Sequence, residues 1–308
     1  MGESRGNRAK PRLIGKMPVM LETAGFEDYQ LLDSGDGAKL ERYGAYRIVR
    51  PEPQAMWQRR LAAPEWDMAD AVFTGDKDED SDGRWRYRTP ISEEWMMRVG
   101  AVRFLGRFTA FRHVGVFPEQ APHWTWMDEQ LKSAGRQPKV LNLFGYTGIA
   151  SLIAALAGAA VTHVDASKKA IAWARENQNA SGLTDLPIRW ICDDAMKFVQ
   201  RELRRGNRYD GIILDPPKFG RGPKGEVWDL FLDLAEMMRA CRTLLANDAR
   251  FLILTAYSIR ASFASIHELS AECLADMPGQ LESGELLLRE QNDGRLLSTS
   301  LFSRWSGE

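Results

Sequence analysis

The feature that most constrains this chain is an alternation that begins at residue 139. Seven runs of β character follow one another: KVLNLF, AAVTHVD, IRWICD, YDGIILD, ARFLILTAY, GELLLRE and LLSTSLFSRW. Helix-forming stretches fill the gaps between the first six, with apolar residues such as Trp228, Phe231, Leu232, Ala235 and Met238 at helical spacing. Short aliphatic strands alternating with helices predict a parallel sheet with crossover helices on both faces, an α/β doubly wound architecture. Upstream the rhythm differs. YQLLDSGDGAKLERYGAYRIVRP, RWRYRTP and EWMMRVGAVRFLGRFTAFRHVG are strand-rich and punctuated by Gly and Pro, which predicts a smaller β-rich domain. The expected division is a basic, mobile tail over 1–22, a β-rich recognition domain over 23–113 and the α/β domain over 114–308.

Composition narrows the partners. The chain has 308 residues, enough for about two domains, with 41 basic and 42 acidic residues. A net charge near zero means that a nucleic-acid or membrane partner would have to be met by a local patch. Arg5, Arg8, Lys10, Arg12 and Lys16 crowd the amino terminus without an apolar segment behind them, so no signal peptide is expected. IASLIAALAGAAV is too short for a membrane span, which needs about 20 residues. Cys192, Cys241 and Cys273 are few, odd in number and too widely spaced for a zinc pattern, which suits a reducing compartment. A cytoplasmic protein without a metal site is expected; GDKDEDSDG, residues 75–83, reads as a solvated acidic loop because nothing spaces its carboxylates as ligands.

In an open doubly wound sheet, ligands bind beyond the carboxyl ends of the strands. Four polar punctuations fall there: Asn142 to Gly148, Asp165-Ala166-Ser167, Asp193-Asp194-Ala195 and Asp215-Pro216-Pro217-Lys218-Phe219. A glycine turn followed by an acid about 20 residues on could serve a nicotinamide dinucleotide. With Gly145 and Gly148 but no full G-x-G-x-x-G, the turn suits a ligand that has no pyrophosphate. S-adenosylmethionine has an amino-acid tail for the turn, a ribose diol for Asp165 and an adenine amine for Asp194. The Asp-Pro-Pro turn adds a carboxylate and a rigidly aimed carbonyl that could hold an amine beside a methyl donor, since proline fixes φ and has no N–H. Singly, each of these acids could equally be a turn or helix cap.

Across about residues 139–222, VLNLFGYTGIAS, HVDASKKAIAWARENQNASGL, DDAMKFV and DGIILDPPKFGRG resemble class I S-adenosylmethionine-dependent methyltransferases. Within them the likeness is to the bacterial large-subunit ribosomal RNA group, RlmI-like and the carboxyl half of RlmL-like. The resemblance implies a seven-stranded Rossmann-like domain with Asn142, Phe144, Gly145, Tyr146, Thr147 and Gly148 at the methionine end. It places Asp165 at the ribose, Ala166 against the adenine and Asp194 at the adenine amine, with Ser167, Asp193 and Ala195 beside them as further cofactor-binding candidates. Asp215, Pro216, Pro217 and Phe219 would form the catalytic turn. Upstream, HVGVFPEQAPHW resembles the segment that closes over the cofactor, nominating Phe117, Glu119 and Gln120.

Methylation at carbon 5 of cytosine needs a thiolate to attack carbon 6. Family members with that activity carry the cysteine just after the fifth strand, where this chain has Tyr257 and Ser258. A nitrogen acceptor owns or gains a lone pair, so positioning suffices; nitrogen methylation of RNA, ribosomal by resemblance, is the expectation. Candidate RNA contacts are Lys218, Arg221 and Lys224 on a glycine-rich loop, and Arg86 and Arg88 in the run of alternating Arg and aromatic residues. That alternation also fits one wet and one packed strand face. A small-molecule or protein methyltransferase, a non-catalytic RNA-binding scaffold and a nicotinamide oxidoreductase remain alternatives at this point, and the oligomeric state is not legible.

Overall fold

The computed structural model describes residues 18–75, 83–132, 136–257, 261–292 and 294–307. The expected basic tail up to residue 17, most of the acidic loop and Ser258 lie outside them. The amino-terminal part contains β1 (Val19–Thr23), β2 (Tyr29–Gly35), β3 (Ala38–Tyr43), β4 (Tyr46–Pro51), the short helix α1 (Ala63–Asp67), β5 (Ala71–Gly75), β6 (Gly83–Tyr87), β7 (Glu94–Val99) and β8 (Val102–Arg107). A 3₁₀ turn, Pro118–Gln120, leads into α2 (Ala121–Lys132). Then follow β9 (Lys139–Leu143), α3 (Ile149–Leu156), β10 (Ala160–Asp165), α4 (Lys168–Ala180), β11 (Ile188–Cys192), α5 (Ala195–Arg205) and β12 (Gly211–Leu214). The remainder is β13 (Phe219–Arg221), β14 (Val227–Asp229), α6 (Leu230–Leu244), β15 (Phe251–Tyr257), α7 (Phe263–Cys273), β16 (Gly279–Arg289) and β17 (Leu296–Gly307).

All seven expected strands join one sheet, in the order β1-β16-β17-β15-β12-β9-β10-β11. Only β17 runs antiparallel to its neighbours. The central strands β12 and β15 are buried along almost their whole length, as a parallel strand covered on both faces must be. Leu141 and Leu143 of β9 face α5 and α6, whereas Val140 faces α2 and α3, the two-fold alternation of a strand dividing two half-cores. Register fixes what matters for chemistry. Leu143 pairs with Val164 on one side and Leu214 on the other, so the residues following all three strands emerge side by side.

Two expectations are corrected. The tail expected over 1–22 stops short, because Val19–Thr23 pair in parallel with β16 and make the sheet eight-stranded. The sequence offers one five-residue strand without a turn ahead of it, which periodicity alone does not separate from a tail. Second, the glycine-rich loop after Asp215 is an antiparallel hairpin, β13 with β14. The helix whose apolar spacing the sequence shows from Trp228 therefore starts at Leu230, with Asp229 accepting a bond from the Phe231 N–H at 2.9 Å.

Strands β2 to β6 form a separate five-stranded sheet and β7 and β8 a hairpin. Between them lies an aromatic core in which Trp85, Trp95 and Tyr46 surround Phe108. The outer edge of β8 is closed by side chains of α4. The Leu105 N–H donates to Asn177 Oδ1 at 2.9 Å, the Leu105 carbonyl accepts from Trp173 Nε1 at 3.1 Å, and Ser181 bonds both backbone groups of Arg103. Asn177 also donates to the Thr147 carbonyl at 2.9 Å, so one buried amide ties the hairpin to the glycine turn. Asn177→Ala strands both backbone groups and is expected to cost about 2 kcal/mol. Chemical denaturation checks this, and an unchanged midpoint would mean that the hairpin docks through its ring contacts alone.

Candidate active site

The glycine turn is held in an unusual conformation. Phe144 and Tyr146 have φ of 57° and 50°, and Gly148 has 83°, so three of five consecutive residues are left-handed. Such strain persists where the surroundings over-determine it. The Tyr146 N–H donates to Asp165 Oδ2 at 2.9 Å, the Gly145 N–H to the Val164 carbonyl at 3.1 Å, and Thr147 Oγ1 to the Gly115 carbonyl at 2.7 Å. A Cβ on Gly145 would lie 2.4 Å from Cε1 of His163, so its glycine is required by the ring behind it. Asn142 Nδ2 bonds Ser151 Oγ at 2.9 Å, and Ser151 bonds His163 Nδ1 at 2.9 Å. Burial pushes His163 down to about 3, so this buttress stays neutral.

One pocket gathers Phe117, Gln120, Asn142, Phe144, Gly145, Tyr146, Thr147 and Asp215. Gln120 is the hinge of its polar side: Nε2 donates to Asp215 Oδ2 at 3.1 Å, and Oε1 accepts from Thr255 Oγ1 at 3.3 Å. Burial, and then the neighbouring Glu119 carboxylate, push Asp215 up to about 7. Glu119 is itself buried, its carboxyl is raised by that burial, and its Oε1 has no partner among the described residues. An aromatic wall faces these acids, with Phe117 5.6 Å from Tyr146, 5.8 Å from Tyr257 and 4.7 Å from the His113 ring.

The other expected residues divide. Asp165 accepts from the N–H groups of Tyr146 and Ser167, at 2.9 and 2.8 Å, which leaves each oxygen a lone pair for a diol. Gly148 and Ala166 flank the turn and the acid. Ser167 caps α4 through the Ala170 N–H, and Asp194 caps α5 through the Lys197 N–H. Asp193 pairs with Arg201, and Ala195 is buried in the core. Pro217 presents its carbonyl to Trp228 Nε1 at 2.8 Å while Pro216 is buried. Phe219 is exposed and carries the Lys218 ammonium 5.4 Å above its ring. On β6, Trp85 packs inward against Phe73, leaving Arg86 on the wet face and Arg88 3.9 Å from Asp70.

Sequence reasoning missed His123 and Trp124, which line the pocket one turn into α2. Neither ring nitrogen of His123 has a partner among the described residues, and burial lowers its pKa to about 3. Only the helical spacing from Gln120 in PEQAPHW could have pointed to it. The chemistry of these groups fits S-adenosylmethionine. The unpartnered ring nitrogens of His123 suit an amino-acid tail, the Asp215 carboxyl and the aromatic rings suit a sulfonium, and Asp165 suits the ribose. Among the described residues no cluster could hold a metal ion, and no helix is long and apolar enough to cross a membrane.

A doubly wound sheet with a strained glycine turn, an acid after the next strand and an Asp-Pro-Pro turn beside both defines a class I methyltransferase. The family model of S-adenosylmethionine-dependent methyltransferases matches residues 50–257, and the chain belongs to that family. The crystal structure of such a methyltransferase from Agrobacterium tumefaciens is 58% identical, superimposes with a TM-score of 0.92 and covers 95% of either chain. One from Streptococcus mutans, 16% identical with a TM-score of 0.67 over 90% of this chain and 75% of that one, shares the fold. The ribosomal RNA large subunit methyltransferase K/L of Pseudomonas paraeruginosa is 31% identical over 69% of this chain. That match spans only 29% of the relative's length.

Proposed function

We propose that this enzyme methylates a nitrogen of a base in RNA, with ribosomal RNA as the substrate. The observation that carries the reading is the placement of Asp215, fixed by Gln120 at the mouth of the methionine end and next to the Pro216-Pro217 turn. Asp215 and the Pro216 carbonyl accept from the exocyclic or ring N–H and aim its lone pair. Bound cofactor supplies an electrophilic methyl group on sulfur. As the nitrogen–carbon bond forms and the carbon–sulfur bond breaks, the proton on nitrogen passes to Asp215, a base poised near neutrality.

Carbon methylation would need a thiolate at this turn. Cys192 is on the cofactor side, its Sγ 3.6 Å from the Ala166 carbonyl. Cys241 is buried in α6 with its thiol pushed up to about 12, and burial also raises that of Cys273 on α7. Where the thiol is expected stands Tyr257, a half-buried phenol whose pKa is raised by desolvation first and by Glu52 and Glu119. The resemblance to K/L relatives supports RNA as the acceptor. Mass spectrometry of nucleosides from ribosomal RNA of the source cells, with and without the gene, tests the reading. One N-methylated nucleoside is expected to disappear while 5-methylcytosine stays constant. A profile unchanged throughout would move the acceptor to a protein or a small molecule.

A further inference from the structure

Four large apolar side chains remain exposed on one corner, formed by the β13–β14 hairpin and the first turn of α6. Phe219 is 51%, Val227 70%, Phe231 57% and Leu232 78% exposed, and none belongs to an interior cluster. The corner is fastened to the catalytic turn. Trp228, buried between Val227 and the helix, bonds the Pro217 carbonyl at 2.8 Å, and the Leu230 N–H bonds the Lys218 carbonyl at 3.0 Å. An apolar patch on a fixed scaffold, beside the place where a methyl acceptor must arrive, marks an interaction site.

The charges around it say what kind. Its acids are spent on the fold: Asp229 caps α6, Asp233 accepts from the Asp229 N–H at 2.8 Å, and Glu226 bonds Lys197 Nζ at 2.5 Å and the Lys224 N–H at 2.8 Å. Its bases are not. Arg221 and Lys224 are exposed and make no ion pair among the described residues, and Lys218 lies over the Phe219 ring. The outward face is thus aromatic and aliphatic with cations at its rim. A single RNA strand offers both complements at once, flat bases for the rings and phosphates for the cations.

We propose that this corner is a stacking platform for the unpaired nucleotides that flank the acceptor base, with Phe219 and Phe231 under the bases and Arg221 and Lys224 on the phosphates. The proposal rests on the RNA reading above and assigns Val227, Phe231 and Leu232 to it. A base drawn out to reach Asp215 leaves its neighbours unstacked, and replacement stacking beside the turn offsets that cost. Because the contact is with rings and backbone, it discriminates single strands from duplex rather than one base from another.

Fluorescence anisotropy of the full chain with a labelled single-stranded RNA oligonucleotide tests the platform. Phe231→Ala/Leu232→Ala is expected to weaken binding by about tenfold to a hundredfold, the worth of one stacked base, with S-adenosylhomocysteine affinity unchanged. Arg221→Ala/Lys224→Ala should reduce the slope of log K against log salt by about 1.4, two phosphate contacts on a single strand. If the native enzyme methylates RNA and the Phe231/Leu232 variant binds it as before, the platform is wrong and the RNA reading survives. A native enzyme that labels protein and neither binds nor labels RNA overturns both. Sedimentation that shows paired copies, separated by the same variant without loss of RNA affinity, would make the corner a subunit interface and also overturn the platform.

Discussion

Replacing Asp215 with alanine is expected to lower kcat by about 10³-fold, the usual worth of a positioned base, while S-adenosylhomocysteine binds within a few-fold of its native affinity. The split follows from where Asp215 is held. Its oxygen is fixed by Gln120, and Gln120 in turn by Thr255, so the carboxyl is anchored independently of the glycine turn and Asp165, which keep their own partners. Asp215→Asn keeps an acceptor oxygen and loses the titration. Native kcat/KM for RNA should therefore fall about tenfold per pH unit below about 7, and the Asn variant, slower at its best, should show no such limb. Isothermal titration with S-adenosylhomocysteine and initial rates over pH separate the two effects. Equal losses of binding and turnover in Asp215→Ala would make the residue a cofactor ligand instead of a base.

The same shift makes a stability statement. Burial and Glu119 raise Asp215 to about 7 in the folded protein, so over the range from about 4 to 7 the native state holds a proton that the unfolded chain has released. Stability contributed by this group therefore falls as pH rises through that window. Asp215→Asn removes the cost of ionising a half-buried, desolvated carboxyl and should raise the denaturation midpoint above pH 7 while it lowers turnover. Strain at Phe144 and Tyr146 belongs to the same account, stored in the turn that lines the pocket.

The fold was legible because burial on two faces writes itself into the strands. KVLNLF, YDGIILD and ARFLILTAY have few polar residues to confuse, and the first two close on a glycine or an acid. The strand Val19–Thr23 was not legible, since its partner β16 lies far along the chain and no local turn brings them together. At the site, the structure brings the expected turn and Asp215 into one pocket, whereas Ser167, Asp193 and Asp194 are engaged in caps and an ion pair. A residue after a strand and before a helix is the natural N-cap, and caps and ligands draw on the same side chains. In Ser167 and Asp194 an oxygen is already committed to capping. Gly145 makes the complementary point: the pattern signals a glycine, but the ring that demands it, His163, comes from the neighbouring strand.

A second large effect lies in the small domain, where RYGAYRIVR hides a buried charge network that no periodicity reveals. Arg50 is bidentate to Glu41 at 2.7 and 2.8 Å and bonds Tyr43 Oη at 2.6 Å, with Tyr29 Oη donating to the same carboxylate at 3.0 Å. Burial alone would raise the Glu41 pKa, but Arg50 and then Lys39 outweigh it and hold the carboxyl below its ordinary value. Arg50→Met leaves that carboxylate buried and unpaired, which should cost about 4 kcal/mol in denaturant unfolding at neutral pH. The sign with pH distinguishes a lost charge partner from lost packing. In the native protein the pair contributes stability above the carboxylate's unfolded pKa, lost as pH falls through the lower folded value. In the variant the stranded Glu41 has a raised pKa, so its penalty eases as acid neutralises it, and the gap between variant and native protein should narrow from pH 7 to 5. Glu41→Leu on top of Arg50→Met removes the orphan and should recover part of the loss, the coupling that a double-mutant cycle isolates. A pH-independent gap with no recovery would mean that Arg50 acts by filling space beneath Arg112, whose carbonyl it also bonds at 3.2 Å. That contact leads toward the pocket, because Arg112 adjoins His113, and His113 packs on the Phe117 ring that lines it. The charge network of the small domain is thus connected, through Arg112 and His113, to a ring of the pocket, and the variant that unseats Arg50 should weaken S-adenosylhomocysteine binding as well as lower stability.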